Sequence, residues 1–365
     1  MPSPSVSIKD VAKRARVSVA TVSRALNDKG PVKDETKQRI LEAAEALRYV
    51  PHGAARSLIT NRTHTIGVLL PDVYGEFFSE LIRGIDTTAR RAGYHLLVSG
   101  FHSAPGEVEA VLRAMRGRVD GLVAMSPDVG PETLRRNLPE SLPLVLLNGS
   151  PEAKAHGFAG IRIDNLGGAL AMGRHLIGLG HRAIAFLAGP EANRDAEERR
   201  RGFREALDEA GLVALPALEL AGDFTEESGY RAGRELLALP LRPTAIFAAN
   251  DSMAIGCLLA LREAGVRVPE DSALGGFDDI PISRFISPPL TTVRVAIADL
   301  GTRAMERLLL AFAGSVGEPL EELAPATLIV RGSCGAGNGP EATRADSNPP
   351  FSSTFDRTRE GDRSR

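Results

Sequence analysis

The apolar positions divide this chain into two parts. Before residue 50 they recur in three short segments, at the three- and four-residue spacing of amphipathic helices. The predicted buried faces of these helices are Ile8, Val11, Ala12 and Ala15, then Val22, Ala25 and Leu26, and then Ile40, Leu41, Ala44 and Leu47. From Thr65 onward, continuous apolar runs alternate with amphipathic stretches, which predicts parallel strands separated by helices. We therefore expect an all-α headpiece followed by an α/β core.

The first two predicted helices are short and are separated by a tight turn. Ser7 followed by Asp10 predicts a capping box at the start of the first helix, and Ser18 can cap the second. The outer face of the second helix carries Val19, Ala20, Ser23 and Arg24. Free side chains near the N-terminus of the second helix are typical of a helix-turn-helix, whose second helix enters the DNA major groove. A helix pair from an unrelated core is the alternative at this point.

The core contains more strand–helix units than one sheet usually holds, so two parallel sheets are expected. The predicted strands are 65–70, 94–99, 121–125, 144–147, 183–188, 218–220, 245–249 and 273–276, and segment 161–164 leads into a helix. The predicted helices are 78–92, 107–116, 168–179, 197–210, 226–238 and 253–264. Ligands of open parallel sheets bind beyond the carboxyl ends of the strands. The polar residues that follow predicted strands are Asp72, Asn148, Asn250, Asp251, Asp278 and Asp279.

Charge is unevenly distributed along a chain that is nearly neutral in total. The 365 residues carry a net charge of −2, but residues 1–62 hold 12 Lys and Arg against 6 Asp and Glu. The remaining residues are acidic, with 32 basic and 40 acidic side chains. A basic head on an acidic body is expected when only one end of a protein meets phosphate.

Neither cysteine lies in a motif typical of metal sites or disulfide frameworks. Cys257 and Cys334 are expected to be small packing residues in a reducing compartment, and we expect no metal and no cofactor. No apolar run is as long as a membrane span, and the start of the chain lacks the hydrophobic region of a signal peptide. We therefore expect a cytoplasmic protein with no membrane partner.

Two segments lie outside the predicted helices and strands. Residues 51–62, PHGAARSLITNR, begin with proline and are rich in small side chains. They are either a plain linker or a linker that becomes helical only on DNA, since a free helix this short with an internal glycine is unstable in water. Residues 335–365 contain no Leu, Ile, Val or Met, so we expect a disordered tail.

Motifs of one protein family occur in order along the chain. They include IKDVAKRARVSVATVSRALN, YVPHGAARSL, TIGVLLPDVYGEFFSEL, FAANDSMAIGCLLALREAGVRVPED and GGFDDIPISRFISPPLTTVR. Through them, residues 6–334 resemble the lactose-repressor/galactose-repressor (LacI/GalR) family of bacterial transcriptional regulators. The resemblance implies a helix-turn-helix headpiece (1–50), a hinge helix (51–62) and a periplasmic-binding-protein-like core (63–334) with an effector in its cleft. The implied N-lobe is 63–162 plus 294–322, and the implied C-lobe is 163–291 plus 323–334.

The resemblance also implies roles for residues of the headpiece and the hinge. The positions expected to contact base edges are Val19, Ala20 and Arg24. The positions expected to contact phosphate are Ser18, Thr21 and Ser23. The hinge positions expected to enter the minor groove are Ala55, Arg56 and Leu58. Arg24 can bond guanine bidentately, and Leu58 is expected to wedge into the central base step and bend the duplex.

The core positions that match effector-binding residues of the family follow several predicted strands. They are Asp72, Phe77, Phe78, Asn148, Asp164, Arg199, Phe224, Asn250 and Asp278. Such a set suits a sugar or polyol, because aromatic faces stack on sugar C–H surfaces while acids, amides and Arg hold hydroxyls.

The resulting hypothesis is a ligand-responsive repressor that binds a pseudo-palindromic operator as a homodimer. The leucine heptads that make some family members tetramers are absent from residues 335–365. Lys33 stands where the family usually places a capping Ser or Thr, so Asp34 is expected to cap the third helix.

Two other classes of protein are weighed against the repressor hypothesis. A solute-binding protein is disfavoured by the basic headpiece, and an enzyme by the lack of a nucleophile elbow, phosphate loop or Ser/His/Asp grouping.

Overall fold

The computed structural model describes residues 6–26, 31–49, 62–101, 106–125, 130–150, 156–314 and 321–336. The hinge positions Ala55, Arg56 and Leu58, and the tail beyond residue 336, lie outside these ranges. Within them the chain forms a helical headpiece and an α/β core with two parallel sheets, which confirms the predicted fold class. No described helix has the length and apolar character needed to cross a bilayer.

Three short helices pack around a small apolar core in the headpiece. They are α1 (Ile8–Ala15), α2 (Val19–Leu26) and α3 (Asp34–Ala46). Their buried side chains are Val11, Ala12, Ala15, Val22, Ala25, Ile40 and Ala43. At the start of α1 the Asp10 carboxylate accepts hydrogen bonds from the backbone N–H and the hydroxyl of Ser7, at 2.9 and 2.7 Å. This contact ties the first turn of α1 to the residue that precedes it.

Two details of α3 differ from the sequence prediction. Lys33 occupies the N-cap position without a side-chain cap, and Asp34 is the first helical residue, so the prediction that Asp34 caps α3 is wrong. Leu41 is 44 % exposed, whereas Ala43 is buried. Residues 40, 43, 44 and 47 share one helical face, and residue 41 is rotated about 100° away from residue 40.

A six-stranded parallel sheet forms the first lobe of the core, which we call the N-lobe. Its strands are β1 (Thr65–Leu70), β2 (His95–Gly100), β3 (Gly121–Met125), β4 (Leu144–Leu147), β5 (Ala159–Ile163) and β11 (Glu321–Ala324). They lie in the order β2–β1–β3–β4–β5–β11. The helices of this lobe are α4 (Glu76–Arg91), α5 (Glu107–Met115), α6 (Pro131–Asn137) and α11 (Ile297–Phe312). Buried apolar strands covered by helices on both faces are typical of parallel sheets.

A four-stranded parallel sheet forms the second lobe, the C-lobe. Its strands are β6 (Ile184–Leu187), β7 (Glu219–Leu220), β8 (Ala245–Ala248) and β9 (Ala273–Gly275), in the order β7–β6–β8–β9. Its helices are α7 (Asn165–Gly178), α8 (Arg194–Glu209), α9 (Glu226–Ala238) and α10 (Asp251–Glu263). Gly256 lets α10 approach α9 closely, because a Cβ there would lie 1.8 Å from the Glu226 carbonyl oxygen.

The chain passes between the two lobes at three places. These are the β5–α7 connection, the connection from β10 (Thr292–Val295) to α11, and the connection from β11 to β12 (Ala326–Ile329). β10 and β12 pair antiparallel. A single bridge between Asp278 and Arg294 joins β10 to the segment after β9. The crossover strands β10 and β12 therefore lie beside the carboxyl end of β9.

The predicted strands and helices between residues 65 and 276 are observed with their ends shifted by up to three residues. Four helices, α4, α7, α8 and α10, begin two or three residues earlier than predicted. Apart from Phe77 and Leu166, the residues that these helices add at their starts are polar or small, and they show no apolar periodicity. Helices α6 and α11 and strands β10, β11 and β12 were not predicted.

Candidate functional site

The outer face of α2 is exposed near its N-terminus. Ser18, Val19, Ala20 and Arg24 are exposed, Thr21 and Ser23 are half-buried, and Val22 and Ala25 face the core. The Ser18 hydroxyl accepts the Thr21 N–H at 3.1 Å and lies 2.8 Å from the Thr21 hydroxyl, which fixes the first turn of the helix. An exposed helix start with hydroxyls and an arginine suits contact with phosphates and base edges.

A cavity of about 520 Å³ lies at the carboxyl ends of both sheets. The N-lobe contributes the segment after β1 and the first turn of α4, and the C-lobe contributes the segments after β6, β7, β8 and β9. Its lining includes Asp72, Phe77, Phe78, Asp195, Arg199, Asp223, Phe224, Glu226, Asn250, Ser252 and Asp278. Open α/β sheets bind ligands at this place, and the mixture of aromatic and polar side chains is typical of small-molecule sites.

Arg199 of α8 is held from several sides beside this cavity. Its Nε donates to Asn165 Oδ1 at 2.8 Å, and its Nη1 donates to the Ala249 carbonyl at 2.7 Å. Its Nη2 lies 3.0 Å from Asp278 Oδ1, and its guanidinium carbon lies 3.8 Å from the centroid of the Phe277 ring. The side chain is 5 % exposed. The guanidinium is therefore fixed by contacts inside the C-lobe.

Asp195, in the first turn of α8, connects the two lobes. Its Oδ2 accepts a hydrogen bond from Asn148 Nδ2 at 2.7 Å, and its Oδ1 accepts one from Asn165 Nδ2 at 3.0 Å. Asn148 follows β4 in the N-lobe, and its Oδ1 accepts the N–H of Ile163 at 2.9 Å. Burial raises the pKa of Asp195 to about 6, and the nearby Arg199 charge and the Asn148 hydrogen bond only partly oppose that rise. The carboxylate therefore titrates close to neutral pH.

Asp278 lies at the cavity on a strained backbone. Its φ is +112°, a value that residues other than glycine rarely adopt and that occurs often at functional sites. Its N–H donates to the Val293 carbonyl at 2.8 Å, which holds the strained residue against β10. Burial raises the pKa of Asp278 to about 6 against the lowering effect of Arg199.

A third buried aspartate, Asp251, fixes the segment that carries Asp278. It accepts the Ile280 N–H at 3.0 Å and the hydroxyls of Ser283 and Thr292 at 2.6 and 2.5 Å. Burial and the charge of Asp278 raise the pKa of Asp251 to about 8. Asp251 therefore ties the start of α10 to the loop after β9 and to β10, and it positions the cavity wall without facing the ligand space.

Most of the predicted effector residues meet at the cavity. Those that line it are Asp72, Phe77, Phe78, Arg199, Phe224, Asn250 and Asp278. The rings of Phe77 and Phe78 meet edge to face at 5.4 Å. Asn250 also supports the wall, because its Nδ2 donates to the Phe224 carbonyl at 2.9 Å and its Oδ1 accepts the Met253 N–H, which caps α10.

The structure does not place the other two predicted residues, Asn148 and Asp164, in the cavity lining. Asn148 is 2 % exposed, and it bonds to Asp195 and Ile163 as described above. Asp164 caps α7 by accepting the Gly167 N–H at 2.9 Å. Both side chains bond to protein groups here, and their contact with an effector stays a prediction.

Sequence reasoning missed several residues that line the cavity. They include Glu76, Asn193, Asp195, Asp223, Glu226 and Ser252. Most of them belong to the N-terminal turns or caps of helices, which the apolar pattern had excluded. Capping residues could have extended the predictions, since Asn193 caps α8 and Thr225 caps α9. Among the described residues, no cluster of His, Cys, Asp and Glu is arranged to hold a metal ion.

Comparisons with known proteins agree with this architecture. Residues 7–52 match a family model described as bacterial regulatory proteins, lacI family, and residues 174–334 match a periplasmic binding protein-like domain. The HTH-type transcriptional repressor PurR of Mannheimia succiniciproducens is 38 % identical over 307 residues, which are 82 % of this chain and 90 % of PurR.

Two solved structures resemble the whole described architecture. One is the lac repressor dimer bound to operator and the anti-inducer ONPF, with a TM-score of 0.80, 28 % identity, and coverage of 91 % of this chain and 99 % of that chain. The other is a complex of the transcriptional regulator CelR with cellobiose, with a TM-score of 0.67, 30 % identity, and coverage of 90 % and 99 %.

A helix-turn-helix headpiece attached to a two-lobed core with a polar cavity defines a ligand-responsive, DNA-binding transcriptional regulator. Both family models and a relative 38 % identical over most of the chain agree with that class. The chain belongs to the lacI family of bacterial regulatory proteins, and the family prediction is confirmed.

Proposed function

We propose that this chain represses transcription by binding a pseudo-palindromic operator as a homodimer, under the control of a small polar effector. One combination of features carries the proposal. A single chain has both the exposed start of α2 and a cavity of about 520 Å³ at the carboxyl ends of two sheets. A ligand that favours one arrangement of the lobes changes DNA affinity by its coupling free energy. We also propose that the protein acts in the cytoplasm and is not an enzyme.

Each segment of the chain has its own role in this proposal. Residues 1–50 bind DNA, and residues 51–62 form the hinge. The effector-binding and dimerisation core is 63–334, with the N-lobe at 63–162 and 294–322 and the C-lobe at 163–291 and 323–334. Residues 335–365 form a tail without an assigned role.

Side chains of α2 and the hinge make the proposed DNA contacts. Base edges are contacted by Val19, Ala20 and Arg24, all exposed. Phosphates are contacted by Ser18, Thr21 and Ser23, and the minor groove is entered by Ala55, Arg56 and Leu58. Two copies of α2 related by a twofold axis then meet two half-sites about one helical turn apart.

Selection of binding sites from random DNA by the full-length chain tests the proposal. We expect a pseudo-palindromic consensus whose log affinity falls linearly with log salt. Arg24→Ala is expected to relax base preference at one position of each half-site, a loss of about 1–3 kcal/mol of discrimination. Arg24→Lys keeps the charge but loses the bidentate fork, so the preference should fall while the salt slope stays. The control is Arg267→Ala, an exposed C-lobe residue. Selection that yields no palindromic preference refutes the DNA-binding proposal.

The second copy is proposed to cover an exposed apolar surface beside the lobe boundary. Tyr74 and Phe285 are 71 % and 75 % exposed, and Ile282 is exposed as well. The Ile282 N–H donates to Glu76 Oε2 at 2.9 Å, so the two segments that carry these side chains are adjacent. Exposed apolar patches of this kind mark interaction surfaces, and a twofold dimer buries the same patch on both copies.

A further inference from the structure

The cavity is lined by many more carboxylates than cations. Asp195 and Asp278 are buried in it, Asp72, Glu76 and Glu226 are half-buried, and Glu191 and Asp223 are exposed. Among the described lining residues, Arg199 is the one cation. A concave surface with one sign of charge concentrates ligands of the opposite sign.

Arg199 offsets one of these seven carboxylate charges, and contacts within the C-lobe hold it in place. Its Nε and Nη1 donate to Asn165 and the Ala249 carbonyl, and its Nη2 faces Asp278 at 3.0 Å. One face of the guanidinium lies against the Phe277 ring, and the side chain is only 5 % exposed. Phosphate and carboxylate ligands are usually gripped by a guanidinium fork that is open to them. Here all three nitrogens already face partners within the C-lobe.

The carboxylates are satisfied mainly by neutral donors, which leave their charge in place. Asp195 accepts hydrogen bonds from the amides of Asn148 and Asn165. Glu226 Oε1 accepts the Ser252 hydroxyl at 2.7 Å, and Glu76 Oε2 accepts a backbone N–H. Asp278 Oδ1 is buried and has no hydrogen bond of good geometry among the described residues, although Arg199 lies close to it. A buried carboxylate such as Asp195, whose hydrogen-bond donors are both neutral amides, favours a cationic partner.

We propose that the effector carries a protonated nitrogen, so that the cavity selects amino sugars and rejects sugar phosphates and sugar acids. This inference rests on the proposed function, since it takes the cavity as the effector site. The ammonium group lies among the carboxylates of the cavity, where charge-assisted hydrogen bonds are about twice as strong as neutral ones. The apolar face of the ring packs on Phe77, Phe78 and Phe224, as in other mixed polar and aromatic sites.

Matched sugar series test the charge preference directly. Isothermal titration of the full-length chain compares glucosamine, galactosamine and mannosamine with the parent hexoses, their uronic acids and their 6-phosphates. We expect at least one amine to bind about tenfold or more tightly than its parent hexose, a difference of ~1.4 kcal/mol. The uronic acids and phosphates should bind more weakly than the parents.

Neutralising substitutions locate the preference in the cavity. Asp278→Asn should reduce the ratio of amine to hexose affinity at least threefold. Glu226→Gln, at a half-buried position outside the Arg199 network, should reduce it too, which keeps the test valid where Asp278→Asn unfolds the chain. The matched control is Asp208→Asn, an exposed residue of α8 that does not line the cavity. Its ratio should equal that of the parent protein.

Three results would overturn the inference: an anion that binds as tightly as the corresponding amine, an amine without advantage over its parent, or an amine series that does not bind. Operator binding is measured separately on the same preparations. A palindromic operator released by a neutral or anionic ligand leaves the proposed function intact and refutes the charge preference. If the protein binds the amines but recognises no operator, the charge preference stands and the proposed function is refuted.

Discussion

The buried hydrogen bond between Asn148 and Asp195 joins the lobes, and Asn148→Ala removes it. The substitution leaves two buried groups without their partner, Asp195 Oδ2 and the N–H of Ile163, which lie 2.7 and 2.9 Å from the Asn148 amide. An unsatisfied buried polar group costs about 1–3 kcal/mol, and a charged one costs more. Alanine also tolerates the φ of +49° at this position less well than asparagine. We expect a loss of about 3–5 kcal/mol in the free energy of unfolding at pH 8.

The size of this loss should depend on pH. The Asn148 hydrogen bond lowers the pKa of Asp195, which burial and the charges of Glu198 and Asp278 raise and Arg199 lowers, giving about 6. Because the hydrogen bond stabilises the charged form, its removal costs most above pH 6, where that form predominates. At pH 5 the carboxyl group is mostly protonated, so the loss should be smaller by about 1–2 kcal/mol.

Urea unfolding followed by circular dichroism at pH 5 and pH 8 measures both quantities. The matched control is Asn137→Ala in α6. Asn137 is also buried, and its Nδ2 donates to the Thr133 carbonyl at 3.0 Å instead of to a titratable group. The loss in the free energy of unfolding caused by Asn137→Ala should be the same at both pH values. An Asn148→Ala cost below 1 kcal/mol, or one that does not change with pH, would refute the view that Asn148 stabilises a buried charge.

Three further perturbations test other parts of the structure. Gly256→Ala should lower the free energy of unfolding by about 3 kcal/mol or more, because its Cβ would lie 1.8 Å from the Glu226 carbonyl oxygen. The control Gly178→Ala, which has open space around it, should raise the free energy of unfolding by up to about 1 kcal/mol. Equal urea midpoints for the two variants would contradict this prediction. Burial raises the pKa of Asp251 from the ordinary aspartate value of 3.8 to about 8 in the folded protein. Its stabilisation is therefore present below pH 4 and is lost as the pH rises through 8. Asp251→Asn should therefore flatten the decline of the melting temperature between pH 5 and 8, and an unchanged slope would count against it. Leu58→Ala should weaken operator binding and reduce the DNA bend seen by gel mobility, whereas an unchanged bend would exclude Leu58 as the wedge.

The sequence pattern predicts the elements whose packing is regular. Short continuous apolar runs such as residues 65–70 and 121–125 favour buried strands, and both are observed with the predicted bounds. The pattern fails at β11 (Glu321–Ala324), which contains two glutamates and lies at the sheet edge. It also fails at β10 and β12, whose pairing depends on contacts between residues far apart in the chain. The local sequence pattern of edge strands and of strands paired over a long range is too weak to predict them.

The site is predictable to the extent that its residues follow strands. Asp278 and Asn250 were found on that ground, and both line the cavity. The same rule selected Asn148, because a residue that supports the backbone after a strand is as polar as one that contacts a ligand. Asp195 was missed because its helix was expected to begin at residue 197. Which polar group faces the cavity is decided by three-dimensional packing between the lobes.

Helix α8 shows how ligand contact and lobe contact share one surface. Asp195, Glu198 and Arg199 lie at positions i, i+3 and i+4, so they occupy one face of the helix. Asp195 bonds to Asn148 of the N-lobe, and Glu198 pairs at 2.6 Å with Arg162 of β5, whereas Arg199 holds Asp278 at the cavity. A ligand group that bonds to Asp195 therefore competes with Asn148 for the same carboxylate. We expect a ligand that moves Arg199 to disturb Glu198 as well, because the two residues are adjacent on the helix. We therefore expect a ligand that changes the contacts of α8 in the cavity to change its bonds to the N-lobe as well.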